Sequence, residues 1–234
     1  MSLDAPWLPR GTVYGTLLNF RREWDLWAPR MSEPPYQAAP RAPVLYVKTA
    51  GTFAPNGAAV SVADEVELGA TLGLVIGDFE TNRAAGRSSQ AQTAIDHEAI
   101  ALSRVTGCVL LDDLSLPHAS YYRPAIRWRN RDGFLVCGPA VTPLRDVDLK
   151  ALKIDVRVNG ALAQTVDLST LVRDAATLLA DVSAFMTLQP GDVLLLGTDC
   201  LADGTRPRAR AGDRVEISAP GFVPLAHTLI QEQA

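Results

Sequence analysis

The sequence predicts a mainly β protein of the α+β class, in which antiparallel or mixed strands are accompanied by a few helices. Three observations lead to this class. Strand-like segments outnumber helical ones, and the few helical segments do not alternate with the strands as they do in a doubly wound fold. Locally, Lys153–Val158 alternates strictly between polar and apolar residues, and Asn159-Gly160 then supplies the residue types of a tight hairpin.

Residues 1–43 predict an N-terminal strand and a lid-like segment. The strand is expected near Thr12–Leu18, and Arg21–Trp27 is predicted to form a short helix that ends before a run of prolines. Val44–Val47 then predicts a strand that carries Lys48 at its end.

The middle of the chain contains a buried strand pattern at Thr71–Gly77. Residues 81–93 are polar and rich in Ala, Arg, Ser and Gln, which predicts a flexible insertion. Apolar residues at helical spacing predict a helix over Ile95–Val105 that stops at Gly107.

The last third predicts the returning strand of the hairpin at Ala161–Val166. An apolar stripe predicts a helix over Thr170–Phe185, capped by Ser169 or Thr170. Two further strands are expected after the Gly-Asp pairs that begin at Gly191 and Gly212.

Length and composition limit the possible functions. A chain of 234 residues can bury a full core, so we expect one domain over residues 1–234. Its 47% apolar and 21% charged content excludes disorder as the main state. The net charge of −4 argues against a nucleic-acid partner. The sequence has no apolar run of membrane-spanning length, so no membrane association is expected.

Several other features bear on location and chemistry. The first residues lack the regions of a secretory signal, and three widely spaced cysteines form no zinc pattern or disulfide framework. A cytoplasmic protein with three buried cysteines, Cys108, Cys137 and Cys200, is therefore expected. The sequence contains no Gly-x-Ser-x-Gly elbow, phosphate loop or dinucleotide fingerprint. The histidines, His97, His118 and His227, have no paired-ligand spacing and are predicted to be surface or structural residues.

Four segments, in their order along the chain, resemble the fumarylacetoacetate hydrolase family: Thr71–Gly77, Asp112–Ser115, Arg131–Pro139 and Leu188–Thr198. Members of that family cleave or isomerise carbon frameworks next to a 2-oxo or 2-hydroxy acid. The resemblance implies a mixed β-sandwich roll with peripheral helices, and commonly a homodimer.

The resemblance also implies a divalent metal such as Mg²⁺, but with a change in this chain. The family's Glu-x-Glu pair maps to Gly69 and Thr71, and its aspartate ligand maps to Asp113. We therefore expect metal binding to be weak or absent. Glu65 and Glu67 form a Glu-x-Glu four residues earlier, and a slip of strand register could bring them into place. The strand pattern instead favours Glu65 and Glu67 as solvated residues that lead into the strand.

One branch of the family shows the same loss of both glutamates, and this chain resembles it. The branch is the amino-terminal half, or first subunit, of the bifunctional isomerase/decarboxylases of homoprotocatechuate (4-hydroxyphenylacetate) breakdown. Gly69–Thr71 and Tyr122–Ile126 separate this branch from metal-dependent members. The implied substrates are a di- and a tricarboxylate, 2-hydroxyhepta-2,4-diene-1,7-dioate and 5-oxopent-3-ene-1,2,5-tricarboxylate. Both reactions pass through a dienolate, which needs positive charge nearby.

The same resemblance nominates the site residues. Lys48, Asp113 and Arg129 are predicted to be catalytic, with Asp113 also the remaining metal-ligand position. Tyr122, Arg123 and Thr198 are predicted to bind substrate. Lys48, Asp113, Arg129 and Thr198 are expected to meet in one cleft, whereas Asp112 should point to the opposite face of its strand. Glu23 falls where relatives with a lid carry a proton-transfer histidine, although an exposed helical glutamate is the simpler expectation.

Several functions remain open at this point. The chain is predicted to be an isomerase/decarboxylase subunit. The alternatives are a metal-free, non-catalytic partner that completes a hetero-oligomer with an active paralogous subunit, a dicarboxylate-binding protein, or a generic hydrolase of the family. The retained Lys48, Arg129, Asp113 and Thr198 favour catalysis or ligand binding, whereas the missing glutamates favour the non-catalytic partner.

Overall fold

The computed structural model describes residues 6–77, 102–118 and 126–233. The predicted insertion at 81–93, the predicted helix from Ile95 as far as residue 101, and Tyr122 and Arg123 lie outside the described residues. Within the described ranges, no helix is long and apolar enough to cross a membrane.

Strands dominate the described part of the chain. They are β1 (Val13–Leu17), β2 (Val44–Lys48), β3 (Phe53–Ala54), β4 (Ala59–Val62), β5 (Val66–Glu67), β6 (Ala70–Ile76), β7 (Val105–Asp113), β8 (Leu135–Cys137), β9 (Thr142–Pro143), β10 (Lys153–Val158), β11 (Ala161–Asp167), β12 (Val193–Leu195), β13 (Arg208–Ala209), β14 (Arg214–Ser218) and β15 (Leu225–Gln231). Three α-helices have both ends in the described ranges: α1 (Arg21–Met31), α2 (Ile126–Arg129) and α3 (Ala175–Ser183).

The larger sheet is mixed and strongly curled. Its strands follow the order β2-β1-β12-β6-β7-β8-β3, with β9 beside β7. A flat sheet of this order would place β2 about 29 Å from β3, since neighbouring strands lie about 4.8 Å apart. The link Thr49–Thr52 joins these two edge strands, and such a short link spans at most about 18 Å. The sheet therefore curls until its edges approach each other.

A second sheet, in the order β11-β10-β14-β15-β4, packs against the outer face of the curled sheet. Leu72 and Leu74 of β6 share one buried hydrophobic cluster with Ile154 and Val156 of β10. The inner face of the curl has its own smaller cluster of Val, Leu and Cys residues from β1, β7, β8 and β12. The mixed β-sandwich roll predicted from the sequence is confirmed.

The predicted hairpin is present, with Asn159 and Gly160 both at positive φ, 51° and 83°, between β10 and β11. Positive φ at both turn positions is the geometry of a type I′ turn, which matches the twist of the flanking strands. The three cysteines are free and buried, as expected, and burial raises the pKa values of Cys108 and Cys137 to about 12 and of Cys200 to about 11.

Three predicted helix ends were wrong. Helix α1 continues past Trp27 to Met31 and contains Pro29. Helix α3 begins only at Ala175, because the side chain of Asp174 accepts a hydrogen bond from the amide N of Thr177 at 2.8 Å and caps the helix there.

The predicted stop at Gly107 is also wrong, because Val105 and Gly107 belong to β7. Glycine is required at 107 by close packing rather than by a helix end: a Cβ there would lie 2.4 Å from the backbone O of Thr142 in β9.

Candidate active site

Three of the side chains predicted for the site meet inside the curled sheet. Asp113 is the last residue of β7, Lys48 the last residue of β2, and Arg129 the last residue of α2. Nζ of Lys48 lies 2.8 Å from Oδ1 of Asp113, and Nη1 of Arg129 donates to Oδ2 of Asp113 at 2.7 Å. All three side chains are fully buried. Strands β2 and β7 are not neighbours in the sheet, so the curl is what brings these residues together.

The ammonium group of Lys48 is surrounded by oxygens of the protein itself. Three oxygens surround its Nζ: Oδ1 of Asp113, the backbone O of Phe134 at 2.8 Å, and the backbone O of Arg129. An ammonium group has three N–H donors, so this environment matches the protonated form. Burial lowers the pKa of Lys48, and the neighbouring Asp113 partly offsets that effect. Lys48 therefore holds the Asp113 carboxylate and the end of α2 in place.

Arg129 has donors left over. Its Nη1 donates to Asp113 and, at 3.2 Å, to the hydroxyl of Tyr46, and its guanidinium lies 4.8 Å from the centroid of the Tyr46 ring. Its Nε and Nη2 are buried and have no hydrogen-bond partner among the described residues. These two groups lie on one edge of the planar guanidinium, which is the geometry that binds both oxygens of a carboxylate.

Tyr46 completes this polar cluster, and sequence reasoning missed it. Its hydroxyl donates a hydrogen bond to Oδ2 of Asp113. Burial and the Asp113 carboxylate raise the pKa of Tyr46 well above its usual value, so the phenol is neutral. Gly15 makes room for the ring, because a Cβ at Gly15 would lie 2.0 Å from it. The signal was present in the sequence: Tyr46 precedes Lys48 by two residues in one strand, so both face the same side.

The cluster carries surplus positive charge. Burial alone would raise the pKa of Asp113, but Lys48 and Arg129 hold it below its ordinary value, so the carboxylate is ionised. Two cationic side chains then face one carboxylate in a fully buried place. Buried charge without a partner is costly, so the arrangement favours a negatively charged ligand.

The strand register agrees with the one predicted from the sequence. Ala70 of β6 pairs with Asp112 of β7, so Gly69 lies opposite Asp113, and the amide N of Asp113 donates to the backbone O of Gly69 at 3.0 Å. Directly opposed residues in an antiparallel pair share a face, which places Gly69 and Thr71 on the face of Asp113. Thr71 is buried, and its Oγ1 has no hydrogen-bond partner in the described part of the chain.

The structure places Thr198 beside this face as well. Thr198 is buried in the loop after β12, and its Cγ2 would lie 2.9 Å from a Cβ at position 69. Glu65 and Glu67 are not shifted into the positions of Gly69 and Thr71, so the alternative of a register slip is wrong.

The residues at this site do not fit the divalent metal that the resemblance implies. A Cβ at Gly69 would lie 2.4 Å from the backbone O of Asp113, so a side chain enters that position only if a strand moves. Both carboxylate oxygens of Asp113 already contact the cationic groups of Lys48 and Arg129. Across residues 6–77, 102–118 and 126–233, no three His, Cys, Asp or Glu side chains are grouped to hold a metal ion.

Asp112 points to the opposite face, as predicted. Its Oδ2 lies 2.8 Å from Nε2 of His227 in β15, and its Oδ1 accepts a hydrogen bond from the amide N of Gly69 at 2.8 Å. Both Asp112 and His227 are fully buried between the two sheets, so the expectation of a structural role for His227 agrees with its position.

The structure also has a cleft of about 570 Å³, and its lining includes none of Lys48, Asp113, Arg129 and Thr198. Helix α1, the β5 strand and the segment leading into β13 supply its walls, and its charged and aromatic lining includes Glu23, Trp27, Glu67, His118, Arg206 and Arg208. The cluster acts electrostatically on this lining, because Arg129 affects the pKa values of both Glu67 and His118.

The expectation that Glu23 is an exposed helical glutamate was wrong. Its Oε1 accepts from Nη2 of Arg206 at 2.9 Å and its Oε2 from the amide N of Leu18 at 3.1 Å. The Glu23 and Arg206 side chains are each only 5% exposed. This ion pair joins helix α1 to the segment before β13 and so fixes one wall of the cleft.

The other wall contains Glu67, which the sequence offered only through a slip of strand register, and His118, which the sequence did not assign to the site. Glu67 pairs with Ser115, and burial raises the pKa of its carboxyl group, although Arg206 and Arg208 oppose the effect. His118 stacks on Trp128 with ring centroids 5.1 Å apart, and its Nδ1 lies 3.0 Å from the backbone O of Leu116. Burial lowers the pKa of His118, so its imidazole is neutral near pH 7.

The sequence is similar to known catabolic enzymes over most of its length. It is 36% identical, over 225 residues, to the 4-hydroxyphenylacetate degradation bifunctional isomerase/decarboxylase of Salmonella dublin. That alignment covers 95% of this chain and 48% of the relative, so the chain spans about half the length of the enzyme it matches.

Two solved structures have similar folds. The 5-carboxymethyl-2-hydroxymuconate delta-isomerase of Mycobacterium smegmatis matches with a TM-score of 0.70 and 24% identity, covering 95% of this chain and 80% of that protein. The maleylpyruvate hydrolase of Sphingobium sp. SYK-6, solved with manganese (II) ion and pyruvate, matches with a TM-score of 0.68 and 22% identity, covering 98% and 73%.

The family comparison covers nearly the whole described fold. The sequence profile of the family, fumarylacetoacetate (FAA) hydrolase C-terminal, matches residues 12–230, which include every described strand except the last residue of β15, and every residue of the buried polar cluster. The chain therefore belongs to the fumarylacetoacetate (FAA) hydrolase C-terminal family.

Proposed function

We propose that this chain is an isomerase/decarboxylase subunit of 4-hydroxyphenylacetate breakdown. Its substrates would be 2-hydroxyhepta-2,4-diene-1,7-dioate and 5-oxopent-3-ene-1,2,5-tricarboxylate, both small polycarboxylates. The 36% identity to a bifunctional isomerase/decarboxylase over 95% of the chain supports this activity class. The chain spans about half of that relative, so we propose, by extension from it, both the substrates and the number of steps catalysed.

The observation that carries the proposal is the open edge of Arg129. Its Nε and Nη2 are buried and lack partners among the described residues, within a cluster that has two cations and one carboxylate. A substrate carboxylate or the oxygen of a dienolate would satisfy both donors and neutralise the surplus charge. A dienolate develops negative charge during either reaction, so a fixed cation there lowers the barrier.

The proposed roles follow from which atoms remain available. Arg129 binds the substrate anion, while Asp113 orients Arg129 and Lys48 holds Asp113 in position. Thr198, beside Gly69, is proposed to contact the substrate through its hydroxyl. The family resemblance assigns Tyr122 and Arg123 to substrate binding, and that assignment stays a prediction.

We also propose that Mg²⁺ binds weakly or not at all, since Lys48 and Arg129 occupy the oxygens of Asp113 that would face the metal. The positive charge that a metal supplies would come from these two side chains. Chelators should then leave the activity intact.

A second candidate function is a non-catalytic partner of an active paralogous subunit. The observation that favours it is that the chain matches about half of the bifunctional relative. Self-association or association with a paralogue would use exposed apolar side chains such as Ile126, Phe185 and Val223, which are 61%, 59% and 59% exposed. In either case we expect an oligomer in sedimentation at micromolar concentration.

Turnover of both substrates by the full chain, alone and mixed with a paralogous subunit, tests the proposed function. Arg129→Lys keeps the charge but removes the two-pronged edge, so kcat/KM should fall by about 10- to 100-fold. Arg127→Lys is the matched control, because Arg127 is exposed on the same helix, and it should change kcat/KM by less than about twofold.

A folded wild-type chain that turns over neither substrate, alone or mixed, would reject the enzyme proposal and support the non-catalytic partner. Equal activity of the two lysine variants would reject the role of Arg129.

A further inference from the structure

We propose that Glu67 is the residue that transfers the proton during isomerisation, an assignment that rests on the proposed function. The sequence does not identify Glu67 as a proton-transfer residue, since Glu67 lies two residues before the positions of the family's glutamate pair. Three observations support this role: the place of Glu67 on the sheet, its surroundings in the cleft, and the buried contacts that already occupy the alternative carboxylate, Glu23.

Glu67 and Asp113 lie close together on one face of the sheet. Glu67 and Ser115 exchange backbone hydrogen bonds of 2.8 and 3.1 Å, which extends the antiparallel pairing of β6 and β7 by two residue pairs beyond Gly69 and Asp113. Glu67 and Asp113 are thus diagonal neighbours, with Cβ atoms expected about 7–8 Å apart. Gly69 lies between them in sequence order along the strand, so no side chain at position 69 separates Glu67 from the polar cluster.

Glu67 is only partly open to solvent. Its side chain is 12% exposed and lines the 570 Å³ cleft. The charged groups around it are Arg208, whose Nη2 lies 3.7 Å from Oε1 of Glu67, then Arg206, Arg129 and Glu65. His118 faces it from the loop after β7. Burial raises the pKa of Glu67 despite the three arginines, which makes its carboxylate a stronger base than an exposed one.

Glu23, the residue at the family's lid position, is already engaged. One of its oxygens is paired with Arg206 and the other accepts from the amide N of Leu18, and both contacts are buried. Moving a proton with Glu23 would require breaking a buried ion pair, which is strongly destabilising. Glu67 has only a long, partly exposed contact to Arg208 by comparison.

The proton transfer balances without any co-reactant. The Glu67 carboxylate takes the proton of the 2-hydroxyl group, and the electron pair of that O–H bond forms the C2=O double bond. The C2=C3 electrons move to C3=C4, and the C4=C5 electrons form a new C–H bond at C5 with the proton returned by Glu67. The product is the 2-oxo-3-ene isomer. Arg129 stabilises the negative charge that develops on the oxygen during the shift.

Glu67→Gln and Glu65→Gln form a matched pair for testing this role. Both glutamates contact Arg208, but the Glu65 side chain is 43% exposed and lies outside the residues lining the cleft. With 2-hydroxyhepta-2,4-diene-1,7-dioate as the probe, Glu67→Gln should lower kcat by about 100-fold or more, with KM changed by less than about threefold. Glu65→Gln should leave kcat within about twofold of the wild type.

The pH profile separates a proton-transfer role from a structural one. Because a base must be ionised, wild-type kcat should rise with pH through the raised pKa of Glu67, and this limb should be absent in Glu67→Gln but kept in Glu67→Asp. Wild-type turnover together with equal kcat in the two glutamine variants would overturn the assignment and leave the proposed function standing. A folded wild-type chain without turnover would overturn both. Thermal melts of all variants check that each one folds.

Discussion

Asp112 and Asp113 are neighbours on one strand, yet they occupy opposite environments. Asp112 lies between the two sheets, where one imidazole and one backbone amide match its two oxygens. Asp113 lies inside the curl, where Lys48, Arg129 and the hydroxyl of Tyr46 all converge on it. Strand alternation separates two chemically identical side chains into two different environments.

The difference between these environments distinguishes a structural site from a binding site. Both oxygens of Asp112 have a partner inside the protein, and the one open atom of this pair among the described residues is Nδ1 of His227. The partners of Asp113 exceed it in charge, and Arg129 keeps two donors that have no partner among the described residues. Surplus charge and open donors in a buried place indicate a ligand, because the described residues do not satisfy them.

Replacing each aspartate by asparagine is the most severe test of this comparison. Asp113→Asn leaves two buried cations without a counter-charge and should lower the free energy of unfolding by about 3–5 kcal/mol. Asp112→Asn keeps an oxygen acceptor and should cost about 1–3 kcal/mol. Urea unfolding of both variants measures the two losses. Equal losses would show that the two environments do not differ as described.

Substituting Gly69 by alanine tests how tightly the chain packs on the Asp113 side of the strand. Gly69→Ala places a Cβ 2.4 Å from the backbone O of Asp113, so a strand must shift, and we expect a loss of about 1–3 kcal/mol in the free energy of unfolding. Gly51→Ala is the control, because the nearest atom to its Cβ would be 3.7 Å away, and it should change stability by less than about 0.5 kcal/mol. Similar values for the two variants, again from urea unfolding, would contradict the tight packing that excludes a glutamate at position 69.

The smallest expected effect is that of metal removal. Because the charge at Asp113 comes from Lys48 and Arg129, activity should be unchanged by a chelator, and calorimetry should detect no tight Mg²⁺ binding. A tight one-to-one isotherm would refute this and would require a metal site built from other residues.

Much of the fold followed from local patterns. The alternation at β10, the Asn-Gly turn and the strand that ends in Lys48 were all predictable, since each depends on residues close in sequence. Helix ends were predicted less well, because the Asp174 cap competes with earlier candidates and Pro29 is tolerated inside α1. The ion pair of Glu23 with Arg206 could not be predicted, because Arg206 is remote in sequence and nothing local links the two.

The sequence by itself determined which residues share a face. The opposite orientation of Asp112 and Asp113, and the shared orientation of Gly69 and Thr71, follow from a period of two along a strand. The family resemblance, and not the period, indicated that Gly69 and Thr71 stand where relatives have glutamates.

Only the tertiary structure decided what those faces meet. The short link Thr49–Thr52 forces the sheet to curl, and the curl carries Tyr46 and Lys48 across its interior to Asp113. Glu67 pairs with Arg208 of the distant strand β13 and lines a cleft with Arg206 and His118. Alternation specifies a direction for each side chain, whereas contacts between distant strands depend on how the whole sheet closes, which no local pattern encodes.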